Sequence, residues 1–227
     1  MENLQKATES ILQQRMTALM LLRRAFADEP DDAFMELLGS KLAIEAIDTF
    51  AVEGQNELSR LAETMRTFSE NGVPASLLED VRSEYTKLFV GPEKILAPFW
   101  ESVYLDPREL LFLESTTDVR KRYEAEGLRL DSETREAEDS VFLELDFVAH
   151  LAERTLEAFR NGDRTEFDRL VKSQRTFEHD HLLNWLPLFA ERAKGARTDY
   201  LYPTLCAAVA AFVAIDAAIL EELAEEA

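Results

Sequence analysis

The segment Glu178-His179-Asp180-His181 carries the residue types of a metal site. On a helix, residues two apart point roughly 200° away from each other, so His179 and His181 cannot share an ion. Glu178 and His181, three apart, can. A di-iron bundle needs two such Glu-x-x-His pairs and two further glutamates. The chain has 3 histidines, and neither His150 nor His179 follows an acid by three positions. No metal site and no cofactor are expected. Cys206 lies among alanine and valine, which raises a thiol's pKa and makes it inert. No GxSxG, GxGxxG or GxxxxGK[ST] occurs. The carboxylates that stand out are Glu136, Glu138 and Asp139, followed by Glu144. They suit either simple charging of a helix N-terminus or an acidic wall for a basic ligand.

Composition narrows the choice. The 227 residues hold 45 acids against 25 bases, a net charge of -20. Such a surface repels nucleic acid and anionic membrane and attracts cationic partners. The 7 glycines leave little for phosphate-cradling loops, against the roughly 7% of average proteins. With 46% hydrophobic residues and 14 phenylalanines the chain can offset its ordering entropy and is not disordered. A lone cysteine fits a reducing cytoplasm. The longest apolar run, Leu205 to Ile215, falls short of the about 18 residues a membrane span needs, so no stable membrane insertion is expected. No basic-then-apolar export signal opens the chain. Arg23-Arg24-Ala25-Phe26 is followed by Asp28 and Glu29 and reads as a helix face.

The elements that position these residues are helices. Leu4, Ile11, Leu12, Met16, Leu19, Leu22 and Phe26 recur at helical spacing up to Pro30. Shorter helices follow over 33–42 and 43–52. Leu58, Leu61, Met65 and Phe68 form the next stripe, ended by Asn71-Gly72-Val73-Pro74. Ser76 and Glu79 form a capping box ahead of Val81, Tyr85, Leu88 and Phe89, with a stop at Gly91-Pro92. Asp106-Pro107-Arg108-Glu109 predicts a helix start running to Gly127. A helix over 138–161 ends at Asn161-Gly162, and Asp163 with Glu166 caps the next. Pro187 opens or kinks a further helix, and Asp199 caps the last, whose apolar stretch reads as central and buried. The tail acids Glu221, Glu222, Glu225 and Glu226 oppose the helix dipole and should fray. The class is all-α, a helical bundle of about ten helices. Its N-terminal part, 1–127, and C-terminal part, 138–227, are joined by a polar hinge over 128–137.

Residues 91–106 break this pattern, with Pro92, Pro98, Phe99 and Trp100 and no helical period. A long apolar loop needs partners for its backbone, and loops of this kind are often functional.

Three segments resemble the TorD/DmsD/NarJ group of cytoplasmic redox-enzyme maturation chaperones. Tyr85-Thr86-Lys87-Leu88-Phe89-Val90-Gly91-Pro92, with Pro98-Phe99-Trp100-Glu101-Ser102-Val103-Tyr104, is similar to the group's Y-x-x-L-F-x-G-P and S-V-Y stretch. Glu136 to Phe147 resembles E-P-x-D-H-x-x-x-E-L-x-F, with Ala137 and Ser140 in place of the Pro and His. Phe177, His181, Leu182, Trp185, Pro187 and Phe189 match F-x-x-x-H-L-x-x-W-x-P-x-F. The resemblance implies a non-catalytic, cytoplasmic chaperone. Such a chaperone binds the twin-arginine signal peptide, the apo form, or both, of a molybdenum-cofactor oxidoreductase until its cofactor is inserted. It implies the precursor as partner and a monomer or homodimer, and links the Asp139-Ser140 positions to peptide recognition.

A twin-arginine peptide offers two guanidinium groups beside an apolar stretch. Carboxylates beside an apolar groove would receive it. On that reading Tyr85, Leu88, Phe89, Pro98, Trp100, Ser102, Tyr104, His181 and Trp185 form or back the groove. Glu101, Asp139 and Glu144 supply charge, with Ser140 beside them. Tyr85, Leu88, Phe89 and Trp185 suit core positions better than contact positions. Two alternatives stand beside this reading: an assembly factor that holds the mature catalytic subunit, and a helical-bundle metalloenzyme.

Overall fold

Helix α1, Glu2–Ala27, lies along α8, Val141–Asn161, so the start of the chain packs against its second half. In this computed structural model, residues 2–51, 56–91, 95–131 and 136–225 are described. Between α1 and α8 come α2 (Asp32–Leu38), α3 (Lys41–Phe50), α4 (Asn56–Asn71) and α5 (Leu77–Tyr85), then α6 (Glu101–Leu105) and α7 (Glu114–Ala125). After it come α9 (Arg164–Asp180), α10 (Leu182–Ala193) and α11 (Tyr202–Glu225). The described residues contain no strand. Their single isolated bridge joins Trp100 to Ser140. The fold is all-α.

The capping residues explain most boundaries. Asp31 accepts the Phe34 N–H at 2.8 Å, and the Asp163 carboxylate accepts that of Glu166 at 3.0 Å. The break expected between 42 and 43 falls instead at Gly39-Ser40, because the Ser40 hydroxyl caps α3 at Ala43. Val52, the expected end of that helix, lies outside the described residues. Gly162 ends α8 at φ 69°, a left-handed position where only glycine is unstrained. Ser76 makes no side-chain cap. Helix α5 runs on into a π-turn over Thr86–Val90.

The helix expected from Asp106 does not form. Asp106 accepts the Arg108 N–H at 2.8 Å, as a cap does. It also clamps the Arg108 guanidinium, and Glu109 then enters the left-handed region at φ 54°. Helix α7 therefore begins only at Glu114, and 106–113 stays irregular. Conversely, Glu101–Leu105, expected as loop, is the short helix α6. Of the expected stop Gly91-Pro92, Pro92 lies outside the described residues, as do 132–135 of the expected hinge and Glu226 of the tail.

Helix α11 is the core helix. It packs against α10, α9 and α4, and on α1 and α5. It is also long and apolar enough to cross a membrane, but 56% of its apolar window is buried inside the fold. Its Asp216 makes a buried ion pair with Arg15 of α1, one of whose bonds is 2.7 Å long. Arg15 also donates to Gln174 of α9, which donates to Thr155 of α8 at 2.8 Å. This polar chain joins four helices across an otherwise apolar core. Glu178 is fully buried beside it. Burial, then the charge of Asp216, pushes its carboxyl well above the usual range, while Arg15 opposes the shift.

The N-terminus of α11 is capped from a distance. Asp199, the expected cap, accepts the Thr204 hydroxyl at 3.0 Å. The first free N–H groups are taken by Glu84 of α5, which accepts from Tyr200 at 3.0 Å, Leu201 at 2.9 Å and Tyr202 at 2.8 Å. A buried carboxylate against a helix N-terminus satisfies both the orphan donors and the dipole.

Two outcomes follow. Glu84→Ala strands three donors and should cost about 2 kcal/mol or more in urea unfolding. For Glu178, a pKa raised in the folded state means stability is fully present below the unfolded carboxyl's pKa. It is lost as pH rises toward the folded value. Glu178→Gln removes that loss. As pH rises above about 5, its urea midpoint should therefore gain on the wild type's.

Candidate functional site

The loop ahead of α6 and the segment ahead of α8 are laced together by backbone bonds. Val141 N–H donates to the Phe99 carbonyl at 2.8 Å, and Glu101 N–H to that of Asp139 at 2.9 Å. The Asp139 side chain accepts the Ser102 N–H at 2.9 Å and so caps α6. Trp100 donates its indole N–H to Glu136, and Tyr104 its hydroxyl to the Pro98 carbonyl at 2.8 Å. Tyr123 of α7 donates to the Glu138 carbonyl at 2.9 Å. Residues 95–105 thus have partners for a backbone that an apolar loop could not bury alone.

The α9–α10 break closes the same junction. His181 sits at the break, with φ -121° and ψ -86°. Its Nδ1 lies 3.0 Å from Glu101 Oε2, and its Nε2 3.2 Å from Asp118 Oδ2. One turn on, Trp185 donates to Glu144 Oε2 at 3.0 Å. The Trp185 ring lies 5.3 Å from that of Tyr104, which Arg192 caps at 4.5 Å in a cation–π contact. Burial first, then the charges of Glu101 and Asp139, push the Glu144 carboxyl well above the usual range. Asp118 lies below it: burial opposes this, but Arg122 and His181 outweigh it.

The expected site residues divide into two neighbouring groups. Tyr85, Leu88 and Phe89 are core. Phe89 stacks on Phe99 at 4.5 Å and meets Tyr85 and Tyr202 edge-on. Burial pushes the Tyr85 hydroxyl up to about 12. Glu101, Ser102, Asp139, Ser140, Glu144, His181 and Trp185 meet in the junction, all buried, and Pro98 is buried beside them. Trp100 and Tyr104 are half-buried. The acids expected to face a ligand instead face helix donors and aromatic N–H groups. Among the acids singled out, Glu136 and Glu138 reach the surface.

Two features escaped the sequence reading. Asp118 has no motif, yet it holds the His181 ring. The end of α6 and the irregular segment before α7 expose Leu105, Leu110, Leu111 and Phe112, the last at 63%. Glu109 fastens it to Arg192 of α10 at 2.8 Å, and exposed Leu188 lies one turn before Arg192 on the same face. Phe112 also sits in the left-handed region, at φ 59°. The signal was present in Leu110-Leu111-Phe112-Leu113, four apolar residues in a row. The Asp-Pro start ahead of them masked it.

The three segments that build this junction coincide with the region matched by a known family. A family model described as nitrate reductase delta subunit matches residues 49–191. The chain belongs to this family, that of the TorD, DmsD and NarJ chaperones, which are not catalysts. It is 29% identical over 170 residues to a chaperone protein TorD of Vibrio cholerae, covering 75% of this chain and 74% of the relative. It is 31% identical over 142 residues to the TorD chaperone of Photobacterium profundum, covering 62% and 64% of the two chains. With a Tat proofreading chaperone DmsD of Salmonella typhi it shares 29% over 134 residues, covering 59% and 55%.

If the junction is held as described, Asp139→Ala leaves the Ser102 N–H without an acceptor. Hydrogen exchange at the Glu101 and Ser102 amides should then speed up by about tenfold or more, while amides of α1 keep their protection.

Proposed function

We propose that this protein is a cytoplasmic maturation chaperone for a molybdenum-cofactor oxidoreductase. It binds the enzyme precursor through its twin-arginine signal peptide, its apo catalytic chain, or both. The observation that carries the reading is the family match over residues 49–191, within which lie the three chaperone-like segments that meet at one junction. Relatives named as chaperones, one of them for Tat proofreading, support it.

The physical account assigns different tasks to different residues. Glu101, Asp139, Glu144, His181 and Trp185 are buried and position the junction. Trp100, Tyr104, Glu136 and Glu138, half-buried at its rim, and the exposed run from Leu105 to Phe112 contact the peptide. Exposed ion pairs contribute only about 0–1 kcal/mol each. Covering a Leu- or Phe-sized side chain contributes about 1.5–3 kcal/mol before ordering costs. Apolar contact therefore supplies most of the affinity, and the acids steer the two arginines. The polar segment 128–137 connects the parts 1–127 and 138–227, which share one core through α1 on α8 and α11 on α4.

Isothermal titration with a twin-arginine signal peptide tests the proposal. Binding is expected, and Arg→Gln changes in the peptide should weaken it. Phe112→Ser should weaken it by about tenfold while leaving the melting temperature unchanged, because the ring is largely in water. Equal affinity for peptides with and without the paired arginines would sink the signal-peptide form. Capture of a client that lacks its signal would then favour the holder of the catalytic chain.

A further inference from the structure

We propose that Glu101, Glu144 and His181 form a binding site for one divalent cation of the zinc type. This goes beyond client binding and does not depend on it. The three side chains come from α6, α8 and the α9–α10 break, and all are buried. Each offers one ligand atom, and these atoms lie within 4.8 Å of one another. An imidazole nitrogen with two carboxylate oxygens is a donor set for zinc and neighbouring first-row cations. Around zinc, with bonds of about 2.0–2.2 Å, such atoms sit roughly 3.3 Å apart. Binding draws the ligand atoms together by up to about 1.5 Å.

An independent observation points to a ligand. Glu144 Oε2 is held by the Trp185 indole N–H, while Oε1 is buried and meets no N–H; in the absence of a cation a proton shared with Glu101 satisfies it. That oxygen belongs to a carboxylate with a second buried carboxylate, Glu101, as its close neighbour. A dication matches two carboxylates and a neutral imidazole in charge. Among the described residues the buried basic side chains are His181, itself a ligand here, and Arg15, whose ion pair is with Asp216. The surroundings are those of a metal centre. Asp118 holds the far nitrogen of His181 at 3.2 Å, and an ion would replace the proton between Nδ1 and Glu101 Oε2, 3.0 Å apart. Trp185 fixes the orientation of Glu144 in the same way. Asp118 is 41% exposed, so the cluster lies one side chain from water. A bound ion would lock α6, α8 and the α9–α10 break together without any catalytic step.

The full chain, purified without chelator and analysed for metal, and the chelator-treated chain titrated with Zn²⁺ and Co²⁺, test the proposal. One equivalent per chain is expected, with a raised melting temperature and the visible absorption of low-coordinate Co²⁺. Glu144→Gln keeps an acceptor for Trp185 and should weaken Zn²⁺ binding at least about tenfold. Asp118→Asn, at the surface and safe for folding, should weaken it about 10–100-fold. No stoichiometric Zn²⁺ or Co²⁺ binding would overturn the site and leave the two glutamates sharing a proton. Equal Zn²⁺ binding by the wild type and both variants would also overturn it, by assigning the ion to surface acids.

Discussion

A carboxyl group can leave water only if donors or cations meet its oxygens or it keeps its proton, and this chain buries Glu84, Glu101, Asp139, Glu144, Glu178 and Asp216. That constraint organises the molecule. Glu84 must find the N-terminus of α11, Asp139 that of α6, and Asp216 the guanidinium of Arg15. Each pairing ties together elements far apart in sequence. The apolar core makes the bundle compact, but apolar packing tolerates small slides between helices. The buried acids remove that freedom, because a shift of an ångström or two leaves a charge without its partner.

The net charge of -20 therefore has two parts of different character. Exposed acids such as Glu221 and Glu222 set the long-range field of the surface. The buried ones contribute to register and position. Composition counts both alike, which is why the acids near α8 read as a ligand-facing wall until their neighbours are known.

The helical class and most helix ends were legible, since caps such as Asp31 and Asp163 act on residues three positions away. What failed was local logic overruled by distant contacts. Asp106 looked like a cap and behaves like one for a single bond, but the clamp on Arg108 and the left-handed Glu109 end the helix there. Asp199 sits where a cap belongs, yet Glu84 takes the donors from α5. The three chaperone-like segments were readable one by one. Their meeting was not, because Glu101 and His181 are 80 positions apart and no periodicity joins them. Asp118 was invisible for the same reason.

The pairing of α1 with α8 and α11 has a consequence for how the chain acquires its shape. Arg15 and Asp216 are separated by 201 positions, and Lys87 and Ala196 by 109. A helical protein dominated by neighbouring contacts folds fast, whereas closing loops of this span slows the search. During synthesis α1 emerges before α8 and α11, and its apolar stripe waits for them. A member of a chaperone family thus passes through an exposed stage of its own.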